Sequence, residues 1–268
     1  MNELPLYQID AFTDRVFGGN PAAVVPLESW LDDSLMQRIA LENNLSETAF
    51  FVPTPERDDT DFHIRWFTPG AEVPLCGHAT LASAWVIFNR LGWTNDRIRL
   101  TCKSGLLAVT RQADDWLELD FPALGTESVP APALLRESLA GVPDTVLHVP
   151  ADTNYLVELA DEAAVRAAEP DLRGLKALGN QGVIITAAGV DCDFVSRYFA
   201  PGVGIDEDPV TGSIHSVLTP YWAARLGRSE LLAHQVSARG GVLKCQLRDN
   251  RVGIAGQAAF FMEGHIQI

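Results

Sequence analysis

Cysteine is scarce in this chain, with four in 268 residues, and no two of them form a Cys-x-x-Cys pair. Structural zinc is therefore not expected, and Cys76, Cys102, Cys192 and Cys245 are expected to be free thiols. Basic residues are outnumbered 20 to 35, and the formal net charge of −15 argues against nucleic acid and anionic membranes as partners. No apolar run is long enough to span a membrane. The first residues lack the basic start and apolar core of a signal peptide, so a reducing cytoplasm is the expected location. A strand followed by G-x-G-x-x-G and a helix is also missing, as are a Walker loop and a haem motif. The sequence thus offers no recognised cofactor or metal motif.

What is present is ordinary globular composition, 47% apolar and 21% charged, in a chain long enough for a full core. It also contains an internal repeat. The segment DFHIRWFTPG at 61–70 lies over DFVSRYFAPG at 193–202 with an offset of 132. A glycine turn follows in each copy, Gly77 and His78 in the first, Gly212 and Ser213 in the second. An apolar, small-residue run comes next and ends at Arg90-Leu91-Gly92 and at Arg225-Leu226-Gly227. The offset there is 135, so the second copy has gained about three residues in the turn.

The pattern predicts an α+β fold of two pseudo-symmetric halves. Each is a mostly antiparallel sheet wrapped around one central apolar helix. The first half is expected over 1–121, with Glu47 and the first central helix. The second is expected over 134–268, with the last strand free to return to the first half. The Pro-rich stretch 122–132 reads as the link, and a cleft between the halves is the expected place for chemistry. Asp61 to Phe67 alternates as a strand. Ala79 to Leu91 is apolar or small on nearly every side, which predicts a helix enclosed by other elements. Ser213 to Leu226 reads as its counterpart, kinked by Pro220.

Both central helices begin at a glycine turn. A helix start leaves backbone N–H groups unpaired, and glycine lets a ligand approach them. A glycine that merely makes the turn is the plainer alternative. Glu47 stands just before an apolar strand, where partial desolvation suits a carboxylate to proton transfer; the alternative is a loop cap. Its counterpart near offset 134 reads as Gln181, which keeps the shape but cannot take a proton. His78 by itself reads as a structural histidine, and its place at the turn makes it a site candidate. Within the acidic trio Asp206, Glu207 and Asp208, the last lies nearest the turn and is the candidate, the others reading as a solvated face. Ser213 caps the helix, binds a substrate oxygen, or does both. Cys76 reads as structural or site-lining; a helix start also lowers a thiol's pKa, so a reactive role stays open.

Four motifs in order complete the sequence reading. They are I-D-A-F-T-x-x-x-F-x-G-N-P-A-A-V from Ile9, N-L-S-E-T-A-F from Asn44, R-W-F-T-P-x-x-E-V-P-L-C-G-H-A-T from Arg65, and F-A-P-x-x-G-I-x-E-D-P-V-T-G-S from Phe199. Together they resemble the phenazine-biosynthesis PhzF-like isomerases, which share the diaminopimelate epimerase-like fold. The resemblance implies cofactor-independent isomerisation of a small carboxylate-bearing substrate by proton transfer. It places the shuttling glutamate at Glu47, with His78 and Asp208 as its catalytic associates. It places substrate-binding positions at Asn20, Gly77, Gly212 and Ser213, with Cys76 beside them. It also implies a homodimer. The epimerase branch uses two opposed cysteines, and this chain has only Cys76 at a matching turn. Two other functions stay open at this level: a non-catalytic binder of small carboxylates on the same scaffold, and a racemase dependent on Cys76.

Overall fold

Apolar side chains alternate along 62–67 and 97–102 and run nearly unbroken along 22–25 and 183–187, and the computed structural model, which describes residues 3–268, shows what each face packs against. The chain forms two units. One runs to Asp120 and regains the chain at Ala255–Ile268, and the other is Phe121–Ile254.

The first unit contains β1 (Glu3–Ala11), β2 (Asn20–Pro26), β3 (Glu47–Pro53), β4 (Phe62–Phe67), the short β5 (Glu72–Val73), β6 (Arg97–Cys102), β7 (Gly105–Arg111) and β8 (Leu117–Pro122). Helices α1 (Asp33–Asn43) and α2 (Gly77–Arg90) complete it. Strand β1 pairs antiparallel with β2, β2 parallel with β3, β3 antiparallel with β4, β4 parallel with β6, and β6 antiparallel with β7. Each parallel step needs a long crossover, which α1 and α2 provide. Helix α1 buries Met36, Ile39 and Ala40, one stripe at helical spacing, against Val25, Phe50, Val52 and Phe67. Helix α2 differs, because eleven of its fourteen residues are buried. Its hydroxyls therefore turn back onto its own backbone: Ser83 Oγ donates to the Ala79 carbonyl at 2.7 Å and Thr80 Oγ1 to the Cys76 carbonyl at 2.5 Å. Each large apolar side chain so enclosed contributes roughly 1.5–3 kcal/mol.

The second unit contains β9 (Glu127–Pro130), β10 (Thr145–Val149), β11 (Asn154–Glu158), β12 (Val183–Ala188), β13 (Phe194–Ala200), β14 (Ile205–Asp208), β15 (Glu230–Gln235), β16 (Gly241–Arg248) and β17 (Arg251–Gly256). Its helices are α3 (Ala133–Ser138), α4 (Glu162–Arg166), α5 (Leu172–Lys176) and α6 (His215–Leu226). The pairing orientations repeat those of the first unit. Strand β10 is antiparallel to β11, β11 parallel to β12, β12 antiparallel to β13, β13 parallel to β15, and β15 antiparallel to β16. The final strand, β18 (Ala258–Gln267), pairs antiparallel with β1 and so belongs to the first unit.

Several boundaries differ from the sequence expectation. The stretch 122–132 is part of the second unit: β9 pairs with β10, and the Leu124 N–H bonds the Ser216 carbonyl at 2.9 Å. That bond explains how α6 runs through Pro220. Proline has no N–H to offer the carbonyl four residues back, and Leu124 offers one instead. Helix α6 starts at His215, and Ser213 lies in the turn before it. After β15 the chain turns over 236–240 before β16 begins.

Two ion pairs frame the duplicated hairpins. Arg65 bonds both oxygens of Glu72, at 2.8 and 2.9 Å, and Arg197 bonds both oxygens of Glu207, at 2.7 and 2.9 Å. Each guanidinium also lies over the phenylalanine two residues on, Phe67 or Phe199. Glu207 is therefore a structural partner, where the sequence reading took it for a solvated face. Its separation from Arg197 exceeds that of Glu72 from Arg65 by three residues, the same length gained in the second turn.

Arg65 holds the Glu72 carboxyl down to about 2, with burial opposing and Lys103 adding to the effect. A lowered folded-state value stabilises fully above the ordinary value of 4.5 and is lost as pH falls toward 2. Replacing Glu72 by Gln is therefore expected to lower the urea midpoint at pH 7. The gap from wild type should close between pH 4.5 and 2. A gap that persists undiminished at the acid end would assign the loss to packing instead.

Candidate active site

Three segments of the first unit bring their polar side chains to one buried place. Glu47 is the first residue of β3, His78 is in the first turn of α2, and Asn20 begins β2. The approach to β2 is tight. Gly19 has φ +59°, and a Cβ there would collide with the Ala11 carbonyl, which is why the G-G-N-P turn carries glycine.

Glu47 Oε2 lies 3.2 Å from His78 Nε2, with side-chain exposures of 10% and 6%. The contact is an ion-pair approach without good hydrogen-bond alignment, and neither atom has another hydrogen-bond partner. On the other side of the ring, His78 Nδ1 lies 3.2 Å from Asn20 Nδ2 and 3.5 Å from Cys76 Sγ. Ser46 Oγ is 3.3 Å from Asn20 Oδ1 and extends the network by one residue. Burial disfavours a charged ring at His78, but the Glu47 carboxylate beside Nε2 opposes it and holds the imidazole well above its ordinary value. Burial pushes the Cys76 thiol up, and the charge of Glu47 adds to that, against His78. The helix-start effect on this thiol is therefore overridden by desolvation, and the favoured form is the neutral thiol.

Glu47, Cys76 and His78 offer one ligand atom each within 4.8 Å of one another.

In the second unit, Asp208 ends β14 and is 9% exposed. Its Oδ2 accepts the Thr211 hydroxyl at 2.5 Å. Gln235 clamps the same turn: its Nε2 donates to the Asp208 carbonyl at 2.8 Å, and its Oε1 accepts the Thr211 N–H at 2.8 Å. Ser237 Oγ closes the turn on the Pro209 carbonyl at 2.7 Å. Gly212 is buried and Ser213 is exposed. The repeat reaches this detail too. Thr80 bonds the Cys76 carbonyl, and His215 Nδ1 bonds the Thr211 carbonyl at 2.9 Å, both at an offset of 135.

The strand ladders correct one expectation. Thr48 stands opposite Phe67 in the first unit, and Val183 opposite Phe199 in the second. Phe67 and Phe199 are repeat equivalents, so the counterpart of Glu47 is Gly182 rather than Gln181. Sequence offset failed here because the loop ahead of β12 has its own length. A Cβ at Gly182 would collide with the Tyr198 hydroxyl and with Asn154 Oδ1, which bond each other at 3.1 Å. The second unit thus carries a phenol and an amide in the space where the first carries a carboxylate. Burial, then Asp152 and Asp208, raise the Tyr198 phenol above its ordinary value, so it keeps its proton.

Sequence reasoning missed Ser46, Gln235 and Tyr198. Ser46 had one signal, its place directly before Glu47. Tyr198 was visible in the repeat as the partner of Trp66. Gln235 had none, because a polar residue ending a strand is commonplace.

The comparisons with known proteins bear on the family and the fold. Residues 9–264 match the model of the phenazine biosynthesis-like protein family. The chain belongs to the PhzF family. An uncharacterized isomerase of Pseudomonas aeruginosa is 49% identical over 266 residues, covering 99% of this chain and 100% of the relative. A PhzF-family crystal structure from Enterococcus faecalis is 44% identical, covers 100% of both chains and superimposes with a TM-score of 0.93. A predicted epimerase of P. aeruginosa, 23% identical with a TM-score of 0.76 over 99% of each chain, shares the fold alone. The PhzF-type, diaminopimelate epimerase-like architecture is therefore that of this chain, and related family members carry the name isomerase. No helix among the described residues is long and apolar enough to cross a membrane.

Two expectations follow. Iodoacetamide at pH 7.5 is expected to leave Cys76 unmodified in the folded protein and to reach it in urea, read by peptide mass spectrometry; rapid labelling of the native state would contradict its burial. Gly182→Ala is expected to cost roughly 1–3 kcal/mol through overpacking, seen as a lower Tm. An unchanged Tm would mean that Tyr198 swings aside at no cost.

Proposed function

We propose that this protein is a cofactor-independent isomerase that moves a proton within a small carboxylate-bearing substrate, with Glu47 as the single acid/base. The observation that carries this reading is the buried meeting of Glu47 Oε2 and His78 Nε2, each without another hydrogen-bond partner. Buried polar atoms left that way are costly, typically about 1–3 kcal/mol each, and sites of reaction are where such costs persist. The names of the family's relatives support the reaction class.

In the proposed mechanism, Glu47 removes an activated C–H proton from the substrate and returns it at another carbon. His78 steadies charge on Glu47 and on the substrate as the transition state forms. Asn20 holds the ring, and Gly77 is proposed as the point where a substrate oxygen approaches the start of α2. In the second unit, Asp208 is proposed as the third catalytic residue, and Gly212 and Ser213 as the donors that hold the carboxylate. Cys76, kept as a neutral thiol, lines the site, and this disfavours the thiol-dependent racemase.

The test is Glu47→Gln, which preserves shape and removes the exchangeable proton. With a panel of small carboxylates bearing an acidic C–H, wild type in D2O should isomerise a member of the panel, with deuterium wash-in or internal transfer followed by NMR. The variant should lose roughly 10²–10⁴-fold. Wild-type turnover in the variant would overturn the assignment. Tight binding without exchange or isomerisation by the wild type would instead mark the protein as a carboxylate binder. Cys76→Ser is expected to retain most of the activity.

A further inference from the structure

The two copies of the turn before the central helix separate what the frame needs from what one unit adds. The turns read V-P-L-C-G-H at 73–78 and D-P-V-T-G-S at 208–213, at an offset of 135. The ladders place them alike: Val73 stands opposite Trp66, and Asp208 opposite Tyr198. One contact is common to both. Ser104 Oγ donates to the Pro74 carbonyl at 3.0 Å, and Ser237 Oγ donates to the Pro209 carbonyl at 2.7 Å. This serine is the frame's own fastening for the turn.

Three polar residues belong to the second copy alone. Asp208 stands where the first unit has Val73, and Thr211 where it has Cys76. Strand register gives the third. His63 lies opposite Thr101 where β4 meets β6, and Val195 opposite His234 where β13 meets β15. Gln235 therefore takes the place of Cys102, whose thiol turns instead to the Gly105 carbonyl at 3.4 Å. The first unit builds the same turn with a valine and two cysteines, so the polar trio is not a requirement of the frame.

The three are bonded to one another in a fixed order. Gln235 Oε1 accepts the Thr211 N–H and Nε2 donates to the Asp208 carbonyl, both at 2.8 Å. A backbone N–H only donates and a backbone carbonyl only accepts, so these partners hold the amide in one orientation. The same Nε2 donates to Thr211 Oγ1 at 3.2 Å. The hydroxyl receives that bond on a lone pair and keeps its own hydrogen for Asp208 Oδ2, 2.5 Å away. Gln235 and Thr211 are both buried, so water does not compete for these bonds. Whatever else the carboxylate touches, one of its oxygens is pinned from this side.

We propose that Gln235 and Thr211 are positioning residues for the reaction, which hold the Asp208 carboxylate in one rotamer as a hydrogen-bond acceptor. Thr211 acts on Asp208 directly, and Gln235 acts through Thr211. The inference rests on the reading of Asp208 as a catalytic residue. Its first readout needs no substrate, so the two fail separately.

The experiment measures three-bond couplings to the Asp208 carboxyl carbon by NMR in uniformly 13C,15N-labelled protein. Wild type should give the limiting values of a single χ1 rotamer. Thr211→Val keeps the shape and removes the hydroxyl, and its couplings should collapse to averaged values. Gln235→Met keeps the length, removes the amide and should average them too. Thr211→Ser returns the hydroxyl and should return the single rotamer. On a panel carboxylate that wild type isomerises, Thr211→Val should lose roughly 10²-fold in kcat with KM little changed, and Thr211→Ser should recover most of the loss. Unchanged couplings in a folded Thr211→Val or Gln235→Met protein overturn the proposal, as does averaging that leaves kcat untouched. If neither variant folds, the wild type decides, because an Asp208 that already samples several rotamers excludes the arrangement. Wild-type turnover in Asp208→Asn would end the catalytic reading of Asp208 itself, and the proposal with it, even where the couplings are as expected.

Discussion

The enclosure of α2 is the constraint on which the first unit depends. A helix buried on all sides has no solvent to satisfy the polar groups at its start, so the strands around it must do so. The Cys76 carbonyl is met from within the helix by Thr80. His78, one residue past the glycine, is met by Asn20 from β2 on one side and by Glu47 from β3 on the other. The same burial that makes these partners obligatory also makes the local electrostatics strong, because little water is present to screen a charge. A solvent-exposed histidine and glutamate at the same distance would be an unremarkable surface pair worth little. Here they are a charge-bearing pair whose proton count matters to its neighbours.

Duplication explains why the frame is robust while the chemistry is free to differ between units. The forked ion pairs of Arg65 with Glu72 and of Arg197 with Glu207 are the same device, used twice to hold a hairpin beside a central helix. So are the half-buried aspartates that open each hairpin. Asp61 accepts the Arg99 N–H at 2.7 Å and Asp193 the Leu232 N–H at 2.6 Å, each tying its strand to the next parallel one. With the scaffold held by these contacts, the position at the mouth of the preceding strand, β3 or β12, could diverge. It carries a carboxylate in one unit. In the other it is a glycine that leaves room for the Tyr198 hydroxyl.

Much of this was legible in the sequence because it depends on local pattern. The repeat, the strand alternation of 61–67 and the all-round apolar character of α2 are properties of neighbouring residues. They point to an α+β fold with central helices before any coordinate is known. Glu47, His78 and Asp208 were legible as candidates from their places at strand and helix starts and from the family motifs. The register of β12 against β13 was not, because it is set by pairing between strands and not by a count along the chain; hence the misplacement onto Gln181. Ser46 and Gln235 were not legible either, since their roles exist only through partners 26 and 27 residues away.

The sequence by itself determined the duplicated architecture, the identity of the enclosed helices and the residue types available for acid–base work, because periodicity and side-chain chemistry are carried by the chain alone. Tertiary structure decided which of those residues meet. It put Glu47 on one nitrogen of His78 and Asn20 and Cys76 on the other, kept Cys76 a thiol, and linked Ser46 to the ring through Asn20. The reason is physical: which groups lose water, and what replaces it, depends on packing between segments far apart in the chain.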